Sequence, residues 1–419
     1  MAIVAVGLAF ATLALDRAGK KGPIEQLSWI YTGGPDGARA VLSAVAGSLA
    51  TVTATAFSIT IVALQLASSQ FGPRLLRNFM QDTGNQLVLG TFIATFIYCL
   101  LVLRTIHGEN YNLFVPEISV TIGIILAIIS IGVLIYFIHH ASTIIQASHV
   151  ISGVSNDFEQ AIDRLFPEED GQSAFYSQRL VGEIPEHFDR EAGSIRAADA
   201  GYLQMIDHDS LMKCASRYNL LIWIQVQPGQ FIMKGNELLK VYPQGRGGRS
   251  LVDHLRKAFI FGKERTEQQD IEFPINQLVE IALRAISPAV NDPFTAIRCI
   301  DRLGAGLSCL AQRQFPSPYY YDHAQNLRVI AQPIKFETLV DKAFNSIRQY
   351  ARSDSAVTMR LLQAIAHVAQ ANRYLSHQSV LKHHADMILR GSLEGLLEEY
   401  DRKEVEAEYD KAIKAIEQN

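Results

Sequence analysis

The chain has 419 residues, 38 Lys+Arg against 42 Asp+Glu, and a formal net charge of −4. That length accommodates two or three domains, and a near-neutral balance with no basic run argues against nucleic acid as a partner. The four cysteines, Cys99, Cys214, Cys299 and Cys309, show no CxxC spacing. Neither a zinc site nor a disulfide framework is expected, and a reducing compartment suits them.

Apolar residues concentrate in the first 140 positions. The opening "MAIVAVGLAFATLAL" has no basic stretch before it and no small-x-small cleavage site after it, so it reads as a helix and not as a secretory signal. At 1.5 Å per residue a stretch of that length reaches about 22 Å, short of the roughly 30 Å hydrocarbon core. Three longer apolar segments follow, at 41–69, 87–103 and 118–138. Tyr98 and Tyr136 lie near segment ends, where interfacial aromatics belong. Four transmembrane helices are expected within 1–140. Arg17, Lys20, Lys21 and Arg39 precede the second helix and only Arg74 and Arg77 follow it, which on charge alone puts the first loop inside. The free cysteines and the large soluble remainder favour a cytoplasmic C-terminal region, and that orientation is the one expected.

From 141 to 170 the pattern turns amphipathic, with Ile144, Ile145, Val150, Val154, Phe158, Ile162 and Leu165 at helical spacing until "FPEEDG" stops it. A connecting helix is expected there. A small β-rich module follows over 171–245, where two apolar runs in "LLIWIQVQPGQFIMKGNELLKVYP" flank the turn formers Pro228 and Gly229. From 250 to 419 helical periodicity dominates, broken at Pro274, Pro288, Pro293, the "FPSPYYYDHA" loop and Pro333. The last segment is a charged amphipathic helix with opposite charges three and four residues apart. The fold class expected is a mostly α membrane protein: four N-terminal transmembrane helices, then a small β-rich module and a C-terminal helical domain.

The strings "FSITIVALQLASSQFGPRLLRNFMQDTGNQLVLGTFIATFIYCLLVLRTI", "GVLIYFIHHASTIIQAS" and "FGKERTEQQDIEFPINQLVEIALRAISPAVNDPFTAI" resemble the bacterial predicted membrane proteins grouped as domain of unknown function 2254. The resemblance covers nearly the whole chain. It implies a multipass inner-membrane protein with a soluble C-terminal part and brings no activity with it, so function has to come from the residues.

The second apolar segment is the most informative. Ser48, Thr51, Thr55, Ser58, Val62, Gln65 and Ser69 recur at alternating spacings of three and four, an a/d seam of small and polar residues on one helix face. Two readings compete. Small residues let helices approach closely while each hydroxyl bonds a carbonyl three or four positions back, with no functional gain. Alternatively the seam lines a water-filled path on the axis of a homo-oligomer, where hydroxyls and Gln65 solvate a passing ion and Val62 is the apolar ring that gates by dewetting. Beyond the seam, Gly72 and Pro73 allow a bend at the membrane edge, and Arg74 and Arg77 fit headgroup phosphates. A small-residue helix that kinks into an interfacial helix is similar in layout to the pore helix of small-conductance mechanosensitive channels.

In the soluble half, "VQPGQFIMKGNELLKVYP" resembles half of a biotinyl or lipoyl barrel. In such modules this type of segment is a structural turn, so Lys234 is expected to be plain turn and no covalent cofactor is expected. Arg265, Thr266, Asp270, Arg284, Ser287, Asn291, Asp292 and Thr295 crowd a short span with three prolines. Asp292 before Pro293 reads as a helix N-cap, and a buried Arg284 calls for a carboxylate, Asp270 or Asp292. The cluster is either a hydrogen-bonded helix junction or an anion or nucleotide site at a helix N-terminus. No GxSxG, HExxH, P-loop or GxGxxG occurs, and His139 with His140 lack a spaced acidic partner for a metal; His149 lies near the same helix end, but His139 and His140 point to different faces. The function expected is a homo-oligomeric channel or permeation protein, with the lipid bilayer, itself and ions as partners. A non-conducting membrane-anchored sensory or scaffold protein is the alternative, and no enzymatic activity is expected.

Overall fold

Uncharged runs longer than a bilayer is thick have one stable local structure, a helix that satisfies its own backbone. The computed structural model describes residues 1–18, 31, 33–71, 82–106, 114–144, 146–167, 184–246 and 248–418. They fall into two units, Met1–His149 and Val150–Asn419.

The first unit contains α1 (Ala2–Ala18), α2 (Pro35–Phe71), α3 (Thr83–Leu103) and α4 (Glu117–Ile144). Three of these, α2, α3 and α4, are long and apolar enough to cross a membrane. Helix α1 has 17 residues, about 25 Å of rise, less than a full hydrocarbon crossing. The expectation of four spans is therefore met for three helices.

Between helices in lipid, packing and interhelical hydrogen bonds replace the hydrophobic drive. Two apolar clusters hold this unit, one around Leu42, Tyr98, Val102 and Val120 with Ala5 and Ala9 of α1, the other around Leu49, Ala56, Val88, Phe92 and Phe137. Polar ties run through them. The Tyr98 hydroxyl lies 3.1 Å from Thr12 Oγ1 and donates to the Ser119 carbonyl at 2.9 Å. Asp16 accepts from Ile118 N at 2.9 Å, from Ser119 N at 3.0 Å and from Ser119 Oγ at 2.5 Å. The last turn of α1 thus caps the start of α4, taking up donors that a helix leaves open.

The second unit begins along α5 (Ala147–Leu165), whose Val150, Ile151, Val154, Phe158 and Ile162 are buried. Phe158 fills the space over Gly306, where a Cβ would collide with its ring. After α6 (Phe188–Glu191) come β1 (Gly193–Arg196), β2 (Gly201–Ile206), α7 (His208–Tyr218), β3 (Leu221–Ile224), β4 (Phe231–Ile232) and β5 (Glu237–Tyr242). These strands need partners from beyond residue 245. After α8 (Gly248–Lys257), β6 (Phe259–Gly262) joins β2 and β4 in a three-stranded sheet. β7 (Tyr319–Tyr321) and β8 (Leu327–Ile330) complete a five-stranded sheet in the order β1-β5-β3-β8-β7. β8 lies parallel to β3, Ile222 opposite Val329. The "FPSPYYYDHA" stretch, read as a loop within helices, therefore carries a strand. Leu203, Ile206, Leu211, Ile222, Ile224 and Leu239 pack together as the core of this module.

The remaining helices are α9 (Glu272–Ala285), α10 (Pro293–Leu310), α11 (Phe336–Tyr350), α12 (Ser355–Ala371), α13 (Leu375–Gly395) and α14 (Glu399–Glu417). α10 packs between α9 and α12, α14 covers α12, and α11 lies on α9 and α13. Pro274 sits in the first turn of α9, where a missing N–H costs no helical bond.

Candidate functional site

Helix α2 has two faces of opposite character. Ala38, Leu42, Ala46, Leu49, Ala56, Ala63 and Ala67 share one side and are buried, and α3 and α4 are the helices packed along α2. Small side chains on that side let neighbouring backbones approach closely. Ser48, Thr51, Thr55, Ser58, Val62, Gln65 and Ser69 lie roughly 150° around the helix at about 100° per residue, and every one is exposed. Exposed Phe57 and Ile61 border this stripe on one flank, and exposed Ile59 and Leu66 on the other. From Ser48 to Ser69 the stripe runs about 32 Å, close to the thickness of a hydrocarbon core.

Four of the five hydroxyls of the stripe turn their protons back onto their own helix. Thr51 donates to the Gly47 carbonyl at 3.1 Å, Thr55 to Thr51 at 3.0 Å, Ser58 to Ala54 at 2.9 Å and Ser69 to Leu66 at 2.9 Å. What these oxygens present outward is lone pairs, since each hydroxyl has one proton and two acceptor sites. The stripe is thus an uncharged face of acceptors, interrupted by Val62 and completed by the Gln65 amide. Gly72, Pro73, Arg74 and Arg77, expected to bend the chain and meet headgroups, lie outside the described residues.

The soluble cluster separates into two groups at opposite ends of α9. At its start, Arg265 Nε donates to Asp270 Oδ2 at 2.7 Å and Nη2 lies 2.6 Å from the same oxygen. Asp270 Oδ1 accepts from Glu272 N at 3.1 Å. Thr266 is beside this pair in sequence, with a buried hydroxyl that has no partner among the described residues. Burial pushes the Asp270 carboxyl up to about 6, against the pull of the adjacent guanidinium. At the other end, roughly 20 Å away along a helix of this length, Arg284 is half-exposed and pairs with Glu280 one turn back at 3.5 Å. Neither Asp270 nor Asp292 is its partner, which corrects the expected pairing. α9 itself holds Arg284 away from the first, and the second is occupied. Asp292 caps α10, accepting from Thr295 N at 3.1 Å and Thr295 Oγ1 at 2.6 Å.

Ser287 Oγ donates to the Arg284 carbonyl at 2.7 Å, and Asn291, at φ +51°, turns the chain between the helices. These bonds make the α9–α10 turn a hydrogen-bonded junction. His140 does have an acidic partner, supplied by another helix: its Nε2 lies 2.8 Å from Asp82 Oδ2, at the N-cap of α3, and its ring stacks on Tyr136. Sequence spacing does not reveal that pair because the two residues are 58 positions apart. Among the described residues no three His, Cys, Asp or Glu side chains come together as metal ligands.

An uncharacterized protein of Mycobacterium bovis and one of Mycobacterium tuberculosis are each 34% identical to this chain over 396 residues, covering 93% of it and 74% of the relative. No solved structure matches it. The model of a family described as predicted membrane proteins matches residues 1–367. With three membrane-length helices already in place, that match assigns the chain: it belongs to the predicted membrane proteins grouped as domain of unknown function 2254.

Proposed function

We propose that the chain is a homo-oligomeric permeation protein of the bacterial inner membrane, with α2 helices lining a water-filled path and a cytoplasmic soluble unit that regulates or assembles it. The observation that carries this reading is the polar stripe of α2, exposed on the side its own protomer leaves open. Polar groups facing hydrocarbon are costly, and Gln65, with four hydrogen-bonding sites, cannot be satisfied by lipid tails. Covering the stripe with copies of itself removes that cost. If the copies meet around a symmetry axis, the stripe becomes a lining as long as the bilayer is thick. Its outward lone pairs suit cations, which oxygen acceptors solvate in place of water. Thr12 and Asp16 tie α1 to α3 and α4, and this supports α1 as a fourth, shorter membrane helix. The lipid bilayer, further copies of the chain and ions are the partners in this reading. It includes neither nucleic acid nor catalysis.

A second reading has its own observation. Hydroxyls bonded back to their own helix are equally suited to a dry seam between close-packed helices, and a membrane-anchored sensory or scaffold protein that conducts nothing would use them so. Two measurements separate the readings. Particle images of the detergent-solubilised protein should show a ring with α2 at its axis; a monomer removes the proposal. Cysteines placed at Thr51, Thr55 and Ser58 should react with a water-soluble thiol reagent, while cysteines at Ile59 and Ile61 should not. Equal protection at all five identifies a dry seam.

A further inference from the structure

The soluble unit has a half-open cavity of about 500 Å³ between its β-rich module and its helices. Its floor is apolar, built from Ile206, Ile224, Val226, Ile271 and Leu339. On one wall His208 and Tyr320 are stacked, ring centroids 5.2 Å apart and planes 19° from parallel. His208 Nδ1 is buried and has no hydrogen-bond partner among the described residues. Desolvation keeps this imidazole neutral, its pKa lowered from the usual value by burial.

The charged part of the lining is electrically different. Lys335 immediately precedes α11, and no side chain caps that helix, so first-turn N–H groups remain open beside an ammonium. The carboxylates on the cavity wall are engaged elsewhere, Asp270 by Arg265, and Glu272 by Arg265 and Lys342. Arg164, also on the wall, donates to the Glu267 carbonyl at 2.5 Å. Among the described residues neither Lys335 nor Arg164 has a carboxylate within ion-pair distance. Of the Asp, Glu, Lys and Arg residues lining this space, the two without an ion pair among the described residues are both positive, and Glu337, in the first turn of α11, is not on the lining.

We propose that this cavity binds a small organic anion carrying a flat ring, with the ring against Tyr320 and His208 and the acid group at the first turn of α11 beside Lys335. A preformed concave site with an apolar floor and a few convergent polar groups is the usual form of a small-molecule site, and the volume suits a molecule of mononucleotide size. Helix N-termini receive carboxylates and phosphates alike. Phosphate monoesters and aromatic carboxylates therefore share the required chemistry.

The test is calorimetric titration of the full-length protein in detergent with adenosine 5′-monophosphate and with an indole carboxylate. Adenosine and inorganic phosphate supply the ring and the anion separately. At least one ringed anion should bind, and its two halves should bind about tenfold more weakly or worse. Lys335→Glu should weaken binding about tenfold or more, Tyr320→Leu should also weaken it, and Tyr320→Phe, which keeps the ring, should not. Lys403→Glu, on the exposed surface of α14, controls for general charge. Failure of both ringed anions to bind below about 10 mM overturns the proposal. So does adenosine binding as well as its monophosphate, or an affinity indifferent to Lys335→Glu. Because the readout is binding, its failure is distinct from any failure of the permeation reading.

Discussion

Gly229, in the turn between β3 and β4, stands directly against Asp270 at the start of α9: a Cβ built on it would collide with the carboxylate and press on the Arg265 guanidinium. The same residue has φ +89° and donates its N–H to the Leu203 carbonyl at 2.7 Å. Backbone and space both demand glycine there, and the turn thereby docks the β-rich module onto a buried ion pair. Gly235 has the same φ of +89° but nothing within 4 Å of a built Cβ. Gly235→Ala should cost about 1 kcal/mol, the backbone term alone, whereas Gly229→Ala should cost on the order of 3 kcal/mol through the added collision. Thermal unfolding of both variants measures the difference. Equal shifts would mean that the ion pair moves aside freely.

The carboxyl at this contact predicts a pH dependence. With its pKa raised from 3.8 to about 6 by burial, folded Asp270 keeps a proton between those values that the unfolded chain has released. Stability from this group is therefore full below pH 4, falls as pH rises to about 6, and is level above, a change on the order of 3 kcal/mol. Asp270→Asn has no proton to lose there. Its stability, plotted as the difference from wild type across pH 4 to 7, should show the mirror of that step. A difference that runs the other way would place the attraction of Arg265 above the cost of burial.

Asp16 makes a separate prediction for the membrane unit. Asp16→Ala leaves the Ile118 and Ser119 N–H groups and the Ser119 hydroxyl without their acceptor, at a cost of about 1–2 kcal/mol. Backbone hydrogen exchange across residues 2–18 should then quicken about tenfold, while Asp16→Asn, which keeps an acceptor, should change it less. Unchanged exchange in the alanine variant would show that α1 is held by its apolar contacts alone.

The membrane-length helices were legible because length and lack of charge alone determine them. So was the Asp292 cap, since capping involves residues three apart. Which face of α2 the protomer covers depends on the packing of α3 and α4. The alanines at Ala46, Ala56, Ala63 and Ala67 were the available signal, being small residues opposite the polar seam. Asp16 and its acceptor role were not legible, because its donors come 102 and 103 residues later. β7 and β8, with three and four residues, are too short for a strand period to register. Arg284 does not meet Asp270 for a geometric reason: nearness in sequence across a whole helix is distance in space, and α9 separates the two by its length.

Val62 tests the proposed path at its narrowest chemistry. It is the apolar member of the stripe and 55% exposed in the protomer, so copies brought together around an axis would bring their Val62 side chains to face one another. An apolar ring in a polar pore resists wetting, and the resistance depends on wall polarity as well as width. Val62→Ser keeps the side chain small and adds a hydroxyl. It should let water fill the constriction and raise resting ion leak in liposomes, with poor growth of cells that express it. Val62→Leu, larger and equally apolar, should close the path further. A packed, non-conducting seam predicts no flux from either variant, because exchanging two methyls for a hydroxyl opens no route between close-packed helices. Flux that stays at background for wild type, Val62→Ser and Val62→Leu alike, under tension, voltage and pH steps, would leave the stripe of α2 as packing and the permeation reading without support.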